Sequence, residues 1–148
     1  KHVYAIRPGG RGDISLKAGE RGNKHIAWYD KRAAPYNPST LVYGDEFYTL
    51  FDFGFLACRD ARTGQMHYDK QRINADKPAG FTASPWAYRG HVFALSEAGD
   101  TYVFAAGKKY GLVGVNSTGG MSMANPALVG DRLLIRNQTH LFSIREKR

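Results

Sequence analysis

Little in this chain can cross-link or hold a metal through sulfur. Cys58 is the single cysteine among 148 residues, which excludes an internal disulfide and any multi-cysteine metal site. No run of about 18 apolar residues occurs, so no segment reads as a membrane-spanning helix. No charged stretch followed by an apolar core opens the chain, so no signal peptide is expected in it. Because Lys1 already leads into an apparent strand, the chain reads as a piece of a longer protein. No segment sustains an apolar period of about 3.6 residues, so no long helix is expected.

Several catalytic patterns are missing too. The five histidines, His2, His25, His67, His91 and His140, show no H-x-x-x-H ligand spacing. Gly9-Gly10-Arg11-Gly12 lacks the Lys-Ser/Thr that would make a phosphate-binding loop. Arg11-Gly12-Asp13 spells an adhesion tripeptide that chance supplies often, and no Ser-His-Asp or Cys-His set assembles from the sequence. Asn116-Ser117-Thr118 and Asn137-Gln138-Thr139 are glycosylation sequons, meaningful only in a eukaryotic secretory context.

What is present is glycine, aromatic side chains and a repeat. Seventeen glycines and 13% aromatic residues suit many short strands joined by tight turns. Ser39, Tyr43, Leu50 and Gly54 are matched 45 positions later by Ser84, Tyr88, Leu95 and Gly99. A third copy lies 41 residues further on, where Asn125-Pro126-Ala127-Leu128-Val129-Gly130-Asp131 answers Ser84-Pro85-Trp86-Ala87-Tyr88-Arg89-Gly90. Self-similarity at about 40–45 residues, built of short strands, is the mark of β-propeller blades. The fold class expected is all-β: a propeller fragment of about three to four four-stranded antiparallel blades. Its parts are the end of one blade over 1–34, whole blades over 37–73 and 82–115, and an incomplete last blade over 124–146. Cys58 aligns with Val103 in the repeat and reads as a small buried hydrophobe. The outer strands are placed at 65–70 and 110–115.

The net charge of +8 is uneven, with eight basic and three acidic side chains in residues 1–34. The basic residues there are scattered singly, which reads as a solvated surface and disfavours a nucleic-acid site. Binding of an anionic polymer through the basic ends is the weakest functional reading, and it predicts a steep salt dependence.

The run Tyr43-Gly44-Asp45-Glu46-Phe47-Tyr48, followed by Gly54 to Gly64 with its Cys58-Arg59-Asp60-Ala61-Arg62-Thr63-Gly64, resembles the PQQ-like repeat of quinoprotein alcohol dehydrogenase-like propellers. The closing tryptophan of that pattern is replaced here by Tyr68. The resemblance implies a propeller exported to the periplasm or cell surface. Some members of that family are dehydrogenases that use pyrroloquinoline quinone (PQQ) and calcium. Others, including the outer-membrane assembly factor BamB, bind no quinone. The paired cysteines common in the enzymes cannot occur here.

The first functional expectation is therefore a non-enzymatic binding or scaffold module without a cofactor, contacting a protein or glycan and the remaining blades of its parent. It would self-associate if the ring is truncated. The alternative is a fragment of a PQQ- and calcium-dependent alcohol or sugar dehydrogenase. Loops entering each first strand and loops linking second to third strands tend to share one face, the mouth of the central channel. That places Tyr36, Asn37, Asp52, Phe81, Thr82, Glu97, Met121 and Asn137 near a common rim as candidate binding residues. Asp52, Glu97 and Asn137 are also the candidate oxygen ligands of the alternative, although turn-forming Asp and Asn explain them equally well. Trp86 is expected between blades.

Overall fold

A computed structural model describes residues 1–74, 76, 77 and 79–146. The described residues form thirteen strands and no helix. The strands are β1 (Val3–Ile6), β2 (Ile26–Asp30), β3 (Leu41–Tyr43), β4 (Glu46–Phe51), β5 (Phe55–Asp60), β6 (Met66–Arg72) and β7 (Trp86–Tyr88). They continue as β8 (His91–Leu95), β9 (Asp100–Ala105), β10 (Leu112–Ser117), β11 (Ala127–Val129), β12 (Arg132–Arg136) and β13 (Leu141–Ile144). They make four antiparallel meanders in chain order: β1-β2, β3-β4-β5-β6, β7-β8-β9-β10 and β11-β12-β13. This is the architecture of a propeller fragment, and no helix among the described residues is long and apolar enough to cross a membrane.

The repeat governs this layout residue for residue. The three inner strands β3, β7 and β11 start 45 and then 41 positions apart. They register identically on their neighbours, with Leu41 opposite Tyr48, Trp86 opposite Phe93 and Ala127 opposite Leu134. Both faces of β4 are covered, with Phe47, Tyr48, Thr49 and Leu50 all buried. Tyr48, Leu50, Leu56, Cys58, Val92, Ala94, Tyr102 and Phe104 form the main core between the second and third sheets. A smaller cluster of Ala83, Leu95 and Ile135, with Trp86, Leu133 and Phe142 against it, joins the third sheet to the fourth. Cys58 is fully buried, as its place in the repeat suggests.

Two outer strands sit off the expected positions. β6 runs on to Arg72, and β10 begins at Leu112 because Tyr110 turns inward. The Tyr110 ring lies 5.8 Å from Tyr68 and 5.6 Å from Phe104, and its hydroxyl donates to the Arg72 carbonyl at 3.2 Å. The long connection before β2 is organised by Asn23. Its amide donates to the Ile14 carbonyl at 3.1 Å, and its oxygen accepts from the His25 and Ile26 amides.

Adjacent sheets are tied together by links that also repeat. The Ser39 amide donates to Ser84 Oγ at 2.9 Å, and the Ser84 amide donates to Asn125 Oδ1 at 2.8 Å. Both bonds join equivalent residues at the entrance to successive inner strands. The first sheet is held differently. Trp28 of β2 donates from its indole to the Ala61 carbonyl at 3.0 Å and packs edge-on against Phe47. A Cβ at Gly64 would stand 2.7 Å from that indole, so only glycine fits there.

Candidate functional site

The turns between second and third strands, and the loops entering first strands, are bonded to one another. The Phe81 amide donates to the Asp52 carbonyl at 2.9 Å, and the Ser122 amide donates to the Glu97 carbonyl at 3.0 Å. The Glu97 amide donates to Gly80 O at 2.9 Å, and the Gln138 amide to Met121 O at 3.1 Å. Each pair is the same bond one repeat apart. Backbone bonds thus link the turns and loops expected at the rim, from Asp52 to Gln138.

Its polar side chains are engaged in holding that lattice. Asp52 accepts from the Tyr36 amide at 2.6 Å with one carboxylate oxygen and from the Asn37 amide at 2.8 Å with the other. Glu97 accepts the Thr82 hydroxyl at 2.6 Å. Asn137 is buried; its amide donates to Gly119 O at 2.9 Å, and its oxygen accepts from the amides of Thr139 and His140. The turn chemistry of Asp and Asn therefore accounts for these groups. Among the described residues, no group of three or more His, Cys, Asp or Glu side chains could share a metal ion. Gly99 closes one of these turns in a left-handed conformation (φ 84°). A Cβ there would lie 2.7 Å from the carbonyl oxygens of both Gly119 and Gly120.

The apolar candidates divide. Phe81 turns inward, 1% exposed and 5.9 Å from Tyr102, so it is core and not a contact residue. Tyr36 is 73% exposed, with the Lys1 ammonium 3.4 Å above its ring. Met121 is half-exposed. Two neighbours escaped sequence reasoning. Phe53, in the turn beside Asp52, is 81% exposed, and Met123 stands beside Met121 over a depression of about 240 Å³ that also touches Asn137. An aromatic residue between Asp and Gly in a turn was the signal for Phe53. Met123 carried none.

Titratable groups in the core offer no nucleophile. Burial pushes the Cys58 thiol up to about 12, and the nearby Glu46 charge pushes the same way, so the thiol stays protonated at neutral pH. Burial also drives Tyr48 up to about 12 and raises Tyr68 further. In contrast, the Asp30 carboxyl lies below the ordinary carboxylate range. Burial opposes this, but the Arg32 amide and the Arg59 guanidinium, at 2.7 Å, outweigh it.

No protein-family model matches the chain, and no curated protein matches its sequence. Among solved structures, the crystal structure of BamB from Moraxella catarrhalis is similar, with a TM-score of 0.57 and 12% sequence identity. The match covers 82% of this chain and 36% of that one, so the chain spans about a third of that protein. At that identity the likeness shows a propeller-type fold and nothing finer.

Proposed function

We propose that the chain is part of an exported propeller of the PQQ-like repeat family that acts as a binding or scaffold module. It grips a protein partner, or secondarily a glycan, with the rim. One observation carries this reading: Tyr36, Phe53, Met121 and Met123 remain exposed on a backbone that Asp52, Glu97 and Asn137 hold in place. Aromatic and methionine side chains on a rigid frame are what protein interfaces favour, because little side-chain or backbone freedom is lost on docking. The same hydrogen bonds count against the dehydrogenase alternative. Both carboxylate oxygens of Asp52 already accept backbone amides, and among the described residues no group of three His, Cys, Asp or Glu side chains gathers there to share a cation.

Photo-crosslinking amino acids placed at Phe53 and Met121 test the proposal in the source cells. Discrete adducts from both positions, and none from exposed Asp131 at the other end of the sheets, are the expected result. Absence of rim adducts would sink it. Calcium-dependent PQQ binding with reduction of a dye by an alcohol or sugar would instead establish the dehydrogenase reading.

A further inference from the structure

The third and fourth sheets part at the end of β8 remote from the rim, leaving a cleft of about 410 Å³. That size suits a small molecule. One wall is aromatic. Trp86 and Phe93 are directly paired across β7 and β8, with rings stacked at 5.2 Å and 12°. The facing wall is aliphatic. Leu133 of β12 is paired with both Leu128 and Ile144, so the three side chains share one face of the fourth sheet.

Arg89 stands at the mouth in a backbone conformation that arginine avoids. Its φ is 44°, and it is the one non-glycine residue with positive φ among those described. The equivalent turn positions of the neighbouring sheets are Gly44 (φ 66°) and Gly130 (φ 59°). The turn itself differs, since Gly90 (φ 77°) also has positive φ whereas Asp45 and Asp131 do not; a long side chain held in the left-handed region raises the energy of the turn, and such strain gathers at functional sites. The guanidinium lies 5.1 Å from the Tyr88 ring centroid and 3.6 Å from Glu146 Oε2, and its side chain is 71% exposed. So loose and open an ion pair can exchange its carboxylate for another. Arg145 lies beside it on the same cleft.

We propose that this cleft binds a flat, apolar small molecule bearing one carboxylate. Its ring slides between the Trp86–Phe93 pair and the Leu128, Leu133 and Ile144 wall, and its carboxylate displaces Glu146 from Arg89. Offset stacking and aliphatic contact hold the ring, and a charge-assisted bidentate bond orients the acid. The site is separate from the rim, so either reading can fail while the other stands.

The test is a titration with 2-naphthoate, its neutral analogue 2-naphthamide, and cyclohexanecarboxylate, followed by amide and indole NMR shifts. Saturable naphthoate binding with a Kd on the order of 100 μM is expected, with shifts centred on Trp86, Phe93 and Leu133. The amide and the non-planar acid should each bind at least ~5-fold more weakly. Arg89→Gly should lower naphthoate affinity to that of the amide while leaving the melting temperature unchanged or raised, because glycine relieves the turn. A merely structural Arg89 would show the opposite: stability lost and affinity kept. No saturation by about 5 mM, shifts centred on the rim, or undiminished binding by Arg89→Gly would each overturn the proposal.

Discussion

The seam between the second and third sheets and the seam between the third and fourth are built from equivalent residues and close differently. At the rim end they match, for Phe81 and Ser122 make the same amide bond to the preceding turn. At the inner edge they match again, through Ser39 to Ser84 and Ser84 to Asn125. At the far end they part. Across the first of these seams, Tyr48 accepts the Gly107 amide at 2.7 Å and Tyr43 accepts the Gly90 amide at 2.9 Å, and Tyr68 with Tyr110 fills the remaining space. Across the second, Phe93 holds the place of Tyr48 without a hydroxyl, and Val113 holds the place of Tyr68 and is 60% exposed. One seam is bonded and filled by rings; the other carries the cleft. A repeat can thus keep its frame at two ends and vary the third, and the variation is where a ligand fits.

Truncating equivalent residues gives the largest contrast. Tyr48→Ala removes a fully buried ring and orphans an amide, and should cost about 3–5 kcal/mol. Phe93→Ala, at a partly exposed position beside an existing cleft, should cost about 1–2 kcal/mol, because no new cavity is made. Urea unfolding of both variants reads the difference, and equal losses would mean the seams are equally packed. Tyr48→Phe isolates the hydroxyl. It leaves the Gly107 amide unpaired in a closed seam and should cost about 1–2 kcal/mol. The reverse change, Phe93→Tyr, should stay within about 0.5 kcal/mol. Arg89→Gly comes next, as a gain. Relief of the left-handed turn should add about 1 kcal/mol, whereas a glycine already occupies that position in the two neighbouring turns.

The common parts of the seams were legible in the sequence, and the differing parts were not. Alternating apolar runs between Gly-Asp and Asp-x-Gly turns place the strands, since period and turn chemistry agree at each boundary. The rim was legible as a set of equivalent turns, because bonds such as Phe81 to Asp52 depend on backbone position alone. Side-chain direction was not legible. Phe81 and Tyr36 both enter an inner strand, yet one is core and the other is surface; only the neighbouring sheet decides. Asn137-Gln138-Thr139 reads as a sequon and folds as a turn whose Asn oxygen accepts the amides of Thr139 and His140. Arginine at the position of Gly44 and Gly130 is visible in the aligned repeats. That the turn changes type is not: Arg89 and Gly90 both have positive φ, whereas Gly44-Asp45 and Gly130-Asp131 have it only at the glycine. The cleft arises from small replacements at aligned positions, and pattern alone gives them no weight.

A smaller effect separates the seams by pH and includes the one between the first and second sheets. There Asp30 and Arg59 meet at 2.7 Å and the Asp30 carboxyl is held below its ordinary value. A carboxyl depressed by folding contributes stability above its unfolded value, and that contribution is lost as pH falls through the folded value. Thermal unfolding between pH 7 and pH 3 should therefore show an acid-side loss of up to about 1 kcal/mol that Asp30→Asn removes. The tyrosine seam behaves oppositely. Burial raises Tyr48 to about 12 from an ordinary value of 10.0, so its contribution is complete below that ordinary value and fades as pH rises through the folded one. Tyr48→Phe should make the alkaline limb shallower without removing it, because burial raises Cys58 and Tyr68 as well, and should leave the acid limb alone, while Asp30→Asn should lessen only the acid limb. Phe93→Tyr, beside the open cleft, should alter neither limb, because a hydroxyl that keeps its water gains no shift on folding. An alkaline limb steepened by Phe93→Tyr would show that the second seam closes in solution, and the contrast between the two would then lie in side-chain chemistry alone.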